Sequence, residues 1–290
     1  MKKQDKLALL IDAENISRKY IKLIMDELNE FGTPTYKRVY GDFTSCGVSS
    51  WKDVLRTYAL TPILQYGYTK GKNSSDSAMI IDAMDILYSG NVNGFCLVTS
   101  DSDFTRLANR LREAGMLVVG MGEQKTPGSL VAACEHFKYL DLLLKEEEEE
   151  EEEKKHQIGS GAQKKHQSEV VTQKKSQEKG KNEQHNKSIA EEEKKEEFEL
   201  GMTEEFSIPT KERIGKEIKS IIHQISDDNG WVNQSEIGVL LSKRFPGFDP
   251  RNYKYSKLSH LIRSYKFLEV NTVPNPKNEF LKIIYVKVKE

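Results

Sequence analysis

Cysteine is scarce in this 290-residue chain: Cys46, Cys96 and Cys134 are odd in number, widely spaced, and form neither a CxxC nor a Cys/His ligand spacing. That argues against a disulfide framework or a structural zinc site and for reduced thiols in a cytoplasm. Long apolar runs are missing too, since none approaches the roughly 20 residues that cross a bilayer. The opening MKKQDKLALLIDAEN sets lysines before an apolar run, as a secretion signal does, but the run ends in acids after five residues. A soluble, cytoplasmic protein is expected. There is no P-loop, no GxGxxG after the first apolar run and no DxDxT-type motif, which disfavours nucleotide-driven and aspartyl-phosphate chemistry. No internal repeat is evident.

A surplus of one charge is also absent, the formal net charge being −1. That neutrality conceals a segregation. Residues 1–145 carry 18 Lys+Arg against 17 Asp+Glu, residues 146–202 carry 11 against 17, and residues 203–290 carry 15 against 11. The mean hydropathy of −0.63 is polar for a globular protein, so part of the chain is expected to lie outside any core.

What is present in residues 1–145 is an alternation of two periods. KLALLID, TYKRVYG, TPILQYGYT, GFCLVTS and MLVVGMG read as strands buried on both faces. Between them lie helical patterns, several ending at a glycine (Gly32, Gly90, Gly115), and GSLVAACEHFKYLDLLLK reads as a closing helix. Five strands alternating with five helices imply an α/β fold, a doubly wound and mostly parallel sheet. From residue 146 to 206 the pattern stops: eight glutamates, Glu146 to Glu153, lead into Lys, Gln, Glu, Ser and His with few large apolar side chains. A disordered, charged linker is expected there. Residues 207–290 then read as three helices, the third over YKYSKLSHLIRSYKF, followed by a strand, a PNPKN turn and a strand, the parts of a small winged-helix-like domain.

Carboxylates stand where the strands of the first domain stop. Asp12 ends the first strand, and Asp101 and Asp103 follow the fourth in LVTSDSDF. If strands 1 to 3 wind one way before the chain crosses over, strands 1 and 4 become neighbours at the switch point, where ligands bind in open α/β sheets. Asp76 opens the third helix and can reach the same crevice. Two carboxylates about 4 Å apart repel by roughly 4 kcal/mol at an effective dielectric near 20. Four such groups imply a cation, and an all-oxygen donor set points to Mg²⁺ or Mn²⁺ over Zn²⁺. Such an ion serves phosphodiester hydrolysis. Asp76 and Asp103 also stand where helix caps stand, and Asn15 can cap the first helix or hold a water or phosphate. Asp42 and Asp82 are second-line candidates, Asp82 lying about 240° around the helix from Asp76.

LLIDAENIS, YGDF, KNSSDSAMIIDAMD and CLVTSDSDFTRLANRLREAGMLVVGMG resemble, in order and spacing, the NYN domain of the LabA-like proteins, a branch of the PIN-like nucleases. The resemblance covers essentially all of residues 5–145. It implies a metal-dependent ribonuclease in which Asp12, Asp76, Asp101 and Asp103 are the acidic metal-binding positions and Asn15 is the Asn that follows the first Asp. NGWVNQSEIGVLL and FDPRNYKYSKLSHLIRS resemble an OST-HTH, or LOTUS, domain, a module linked to binding RNA and partner proteins. One departure is Lys254, where that pattern has Gly.

Arg251, Lys254 and Lys257 crowd this stretch, interleaved with Tyr253 and Tyr255, as a surface that attracts phosphates and stacks bases would. Leu258, Leu261 and Ile262 are expected to face the core. The reading that follows is a Mg²⁺- or Mn²⁺-dependent ribonuclease with a tethered RNA-binding domain. The alternatives are a non-catalytic RNA-binding or scaffold protein and, more remotely, a phosphatase of small phosphoesters.

Overall fold

In a computed structural model, which describes residues 5–42, 51–64, 74–159, 208–275 and 278–289, Leu7 to Ile11 are all fully buried. A strand can bury every residue only with helices over both of its faces. Alternate residues of β1 (Lys6–Asp12) serve two separate cores: Leu7, Leu9 and Ile11 face one, Ala8 and Leu10 the other. The first core is closed by α1 (Ile21–Leu28), α2 (Lys52–Thr57) and the start of α6 (Leu140–Gly159). The second is closed by α3 (Ser74–Ser89), α4 (Thr105–Glu113) and α5 (Gly128–Ala133).

The remaining strands are β2 (Thr33–Gly41), β3 (Thr61–Leu64), β4 (Gly94–Val98), β5 (Leu117–Gly122) and β6 (His136–Tyr139). Their order is β3-β2-β1-β4-β5-β6, and every pairing is parallel. The α/β, doubly wound architecture expected from the alternating periods is thus present, with β1 and β4 paired from Leu7↔Gly94 to Ile11↔Val98. The sheet has six strands, not five. The apolar stretch that reads as one closing helix over 128–145 divides into α5, β6 and α6. In HFKY only Phe137 and Tyr139 turn inward, a two-residue period too short to stand out inside an apolar segment. The helix α6 then runs through the glutamates to Gly159, where the composition alone predicts a linker from 146. Leu140 and Leu143 anchor it to the core, and glutamate is a good helix former once a helix has begun. The rest of the expected linker, residues 160–206, and Cys46 lie outside the described residues.

The chain divides into two units, residues 1–146 with 206–290, and residues 147–205. Within the first, the C-terminal domain comprises α7 (Lys211–Ile225), β7 (Val232–Asn233), α8 (Gln234–Arg244), α9 (Leu258–Arg263), β8 (Leu268–Asn275) and β9 (Asn278–Val288). The strands form an antiparallel sheet ordered β7-β9-β8, and the helices pack on it through Ile214, Ile218, Ile237, Leu241, Leu261 and Ile262. Thr210 caps α7 by accepting from the Arg213 N–H at 3.2 Å, and Asn233 caps α8 by accepting from the Ser235 N–H at 2.9 Å. The long third helix expected over YKYSKLSHLIRSYKF is instead a 3-10 turn, Pro250–Tyr253, followed by the short α9. Lys254 breaks it with φ at 62°. Among the described residues no helix is long and apolar enough to cross a membrane.

A left-handed backbone strains any residue with a Cβ, which accounts for the glycine expected at position 254. Lys254→Gly should therefore raise the stability of the protein by about 0.5–1 kcal/mol in denaturant titration.

Candidate active site

The β1–β4 pairing brings two acidic segments side by side where the strands end. Asp12 closes β1 and is 1% exposed. Its Oδ1 accepts from the Glu14 and Asn15 backbone N–H groups at 3.1 and 3.2 Å. Its Oδ2 accepts from the Asn15 amide at 2.7 Å and the Thr99 hydroxyl at 2.9 Å. Burial raises the Asp12 pKa, and the bonds from Asn15, Thr99 and Glu14 work against that rise.

Thr99 itself is buried just past β4, its N–H donating to the Met121 carbonyl at 3.0 Å. Its Oγ1 donates to Asp12 and accepts from the Asp101 N–H at 3.1 Å. One hydroxyl therefore ties the two acidic segments together. Asp101 in turn accepts from the Asp103 N–H at 2.9 Å, capping the turn Ser102–Phe104. The helix α3 supplies Asp76 in its first turn.

Asp76, Asp101 and Asp103 each offer a carboxylate oxygen within 4.8 Å of the others, a group that could hold a metal ion. Asp12 is not part of that trio; its oxygens accept from four donors, and its charge acts on Asp76. Burial, then the charges of Asp12, Asp101, Glu14 and Asp103, push the Asp76 carboxyl up to about 6. The donor set is carboxylate only, which suits a hard divalent cation of the Mg²⁺ or Mn²⁺ type. A cation among these groups would relieve the repulsion that raises Asp76.

Two participants carry no signal in the sequence beyond their position. Thr99 is one. The other is Glu14, whose Oε1 accepts from the Ser75 hydroxyl at 2.6 Å and the Asp42 N–H at 3.3 Å, linking β1, β2 and α3 around the crevice. Asp82 points elsewhere, as its helical offset implies: it pairs with Arg38 at 2.7 Å and accepts from the Tyr40 hydroxyl at 2.9 Å.

In the C-terminal domain the five expected RNA contacts are not equivalent. Arg251 is bound by Glu27 and Asp249. Tyr253 is half-buried, packs against Phe248 and donates to the Pro209 carbonyl at 2.8 Å. Tyr255 is also half-buried, and its hydroxyl accepts from Lys211 at 2.7 Å. Lys254 and Lys257 are exposed.

A parallel α/β sheet with an acidic crevice at its switch point, joined to a small winged-helix-like domain, defines the class. Residues 6–141 match the NYN domain and residues 210–279 the OST-HTH/LOTUS domain, so the chain carries these two domains in that order. NYN domains belong to the PIN-like nuclease superfamily. An uncharacterized protein of Methanocaldococcus jannaschii is 27% identical over 133 residues, 42% of this chain and 50% of the relative. The chain therefore matches about half the length of that relative. A solved structure of a protein of unknown function from Vibrio parahaemolyticus is 18% identical, with a TM-score of 0.40, covering 47% of this chain and 93% of the other.

The raised pKa of Asp76 fixes a sign. With a folded value of about 6 against roughly 4 when unfolded, protonated Asp76 favours the fold, and that contribution is lost as pH rises through about 6. Asp76→Asn should raise the melting temperature of the metal-free protein at pH 7 and have little effect at pH 4, as differential scanning calorimetry would show. Mn²⁺ should raise the wild-type melting temperature more at pH 7 than at pH 5. Thr99→Val, by removing a donor from buried Asp12 and an acceptor from Asp101, should cost about 1–3 kcal/mol.

Proposed function

We propose that the protein is a metal-dependent ribonuclease whose NYN domain hydrolyses phosphodiester bonds and whose OST-HTH/LOTUS domain supplies RNA affinity. The observation that carries this reading is the convergence of Asp76, Asp101 and Asp103 within 4.8 Å at the switch point. These three would hold Mg²⁺ or Mn²⁺. A divalent ion there supplies positive charge for the oxygens of an in-line phosphoryl displacement.

Asp12 adds negative charge that acts on Asp76, and its two oxygens already accept four hydrogen bonds. A metal drawn onto Asp12 directly would have to displace one of those donors. Asn15 and Thr99 are the groups that hold it in place. On the second domain, Lys254 and Lys257 are the cations we assign to RNA phosphates. Arg251 is left out because its guanidinium is committed to two carboxylates. Tyr253 and Tyr255 stand beside these lysines as half-buried supports, and base stacking by either would require it to leave its present partner.

Labelled single-stranded and structured RNAs incubated with the protein and Mn²⁺ or Mg²⁺ should be cleaved, and EDTA should stop the reaction. Asp76→Asn and Asp101→Asn should each abolish cleavage while the circular dichroism spectrum is unchanged. Cleavage that persists in both variants would rule out the acidic crevice as the active site. Replacing Lys254 and Lys257 with Ala should weaken RNA binding about equally across sequences. It should also flatten the dependence of log K on log salt by roughly 0.7 per lost phosphate contact. Unchanged RNA affinity in that variant would favour a protein partner for this surface.

A further inference from the structure

Four charged side chains from distant parts of the chain are packed together beside β6. Glu27, in the last turn of α1, accepts from both terminal nitrogens of the Arg251 guanidinium, at 2.5 and 2.8 Å. Arg251 also donates to Asp249, through Nε at 3.0 Å and Nη2 at 2.8 Å. Lys138 on β6 reaches Glu27 and Asp249 at 2.9 Å each, and Glu30 at 3.3 Å. Acid and base thus alternate around a closed ring: Glu27, Arg251, Asp249, Lys138. The side chains of Glu27, Lys138 and Asp249 are 6%, 11% and 11% exposed. An ion taken out of water costs several kcal/mol unless it is paired. Glu27 and Lys138 belong to the NYN domain, Asp249 and Arg251 to the OST-HTH/LOTUS domain, and each half of the ring completes the other.

The surroundings fit as closely as the charges do. The backbone N–H of Phe137, on the edge strand, donates to the Pro246 carbonyl at 2.8 Å, so the second domain covers part of an open sheet edge. Gly247 lies against Tyr139, where an added Cβ would stand 2.9 Å from the ring. Ile208 packs on the core that contains Phe137 and Tyr139. Burial works to raise the Asp249 carboxyl, but the bonds from Arg251 and the charge of Lys138 outweigh it and hold the pKa at about 2. Asp249 therefore stays ionised throughout the neutral range.

We propose that this surface is a latch that holds the OST-HTH/LOTUS domain against the α1 and β6 side of the NYN domain independently of the peptide between them. The two domains then act as one body, not as a cutter and a binder on a free tether. The latch stands whether or not the acidic crevice hydrolyses RNA, and its test needs no RNA.

A specific protease site introduced at Gly180 allows the purified full-length chain to be cut between the domains, and the products to be followed by size-exclusion chromatography with light scattering. The wild-type halves should co-elute as a one-to-one pair. Arg251→Gln should weaken their affinity, measured by titration calorimetry, about 30-fold or more, because it strands a buried carboxylate. Glu27→Gln should do the same, and the double variant should lose less than the two losses combined. Gly247→Trp alters no charge but blocks the approach to Tyr139, and should separate halves that each keep their circular dichroism. Wild-type halves that elute apart, or an Arg251→Gln pair as tight as the wild type, would overturn the latch.

Discussion

The parallel pairing of β1 with β4 is the constraint on which the acidic crevice depends. Because the chain builds β1, β2 and β3 outward in one direction and then returns, β4 must pair with the free side of β1. That places helices of different connections on opposite faces and leaves a crevice between the two strand ends, where neither face is covered by the other's loop. The register Ile11↔Val98 puts Asp12 and Thr99 one step beyond the last paired residues, side by side. Residues some 90 positions apart in sequence are thus joined by a single hydroxyl.

The crevice then separates its carboxylates into two kinds. Two ionised carboxylates about 4 Å apart repel by roughly 4 kcal/mol in a partly polar surrounding, so a fold that gathers several must answer each charge. Asp12 is answered from within, by two backbone N–H groups, an amide and a hydroxyl. Asp76 is instead pushed up by burial and by the charges of Asp12, Asp101, Glu14 and Asp103. The buried acid is therefore structurally complete. The outer three each bring a carboxylate oxygen into one shared space, the arrangement in which a divalent cation is bound through oxygen.

Much of this was legible in the sequence because strands buried on both faces announce themselves as continuous apolar runs, and an acid at the end of such a run marks where the sheet opens. Asp12, Asp101 and Asp103 could be placed on that ground, and the winding rule supplied their proximity. Other features left no trace. His136 to Tyr139 is a four-residue strand inside an apolar segment with a helical look, so its two-residue period could not compete. A buried threonine such as Thr99 follows no pattern, since its importance lies in a bond to a residue it does not neighbour. The third helix of the second domain is shorter than its apolar spacing suggests, because helical spacing says nothing of a left-handed backbone at Lys254.

Charge was the least legible property, and Arg251 shows why. Among Lys254, Lys257 and two tyrosines it reads as one more phosphate contact, yet its carboxylate partner Glu27 lies 224 positions away. Lys211 is likewise engaged with Tyr255 and the ring of Tyr265, and Arg244 with Glu217. The surplus of basic residues in the C-terminal domain therefore overstates the cations offered to a polyanion, and the attraction for RNA should be modest. Rigid attachment offsets that deficit differently from added charge. For an RNA that reaches both domains, fixing one domain against the other removes the entropy of searching along a flexible connection and raises the effective concentration of the second contact. An arginine that holds the two surfaces in register can thus contribute to binding without touching the RNA.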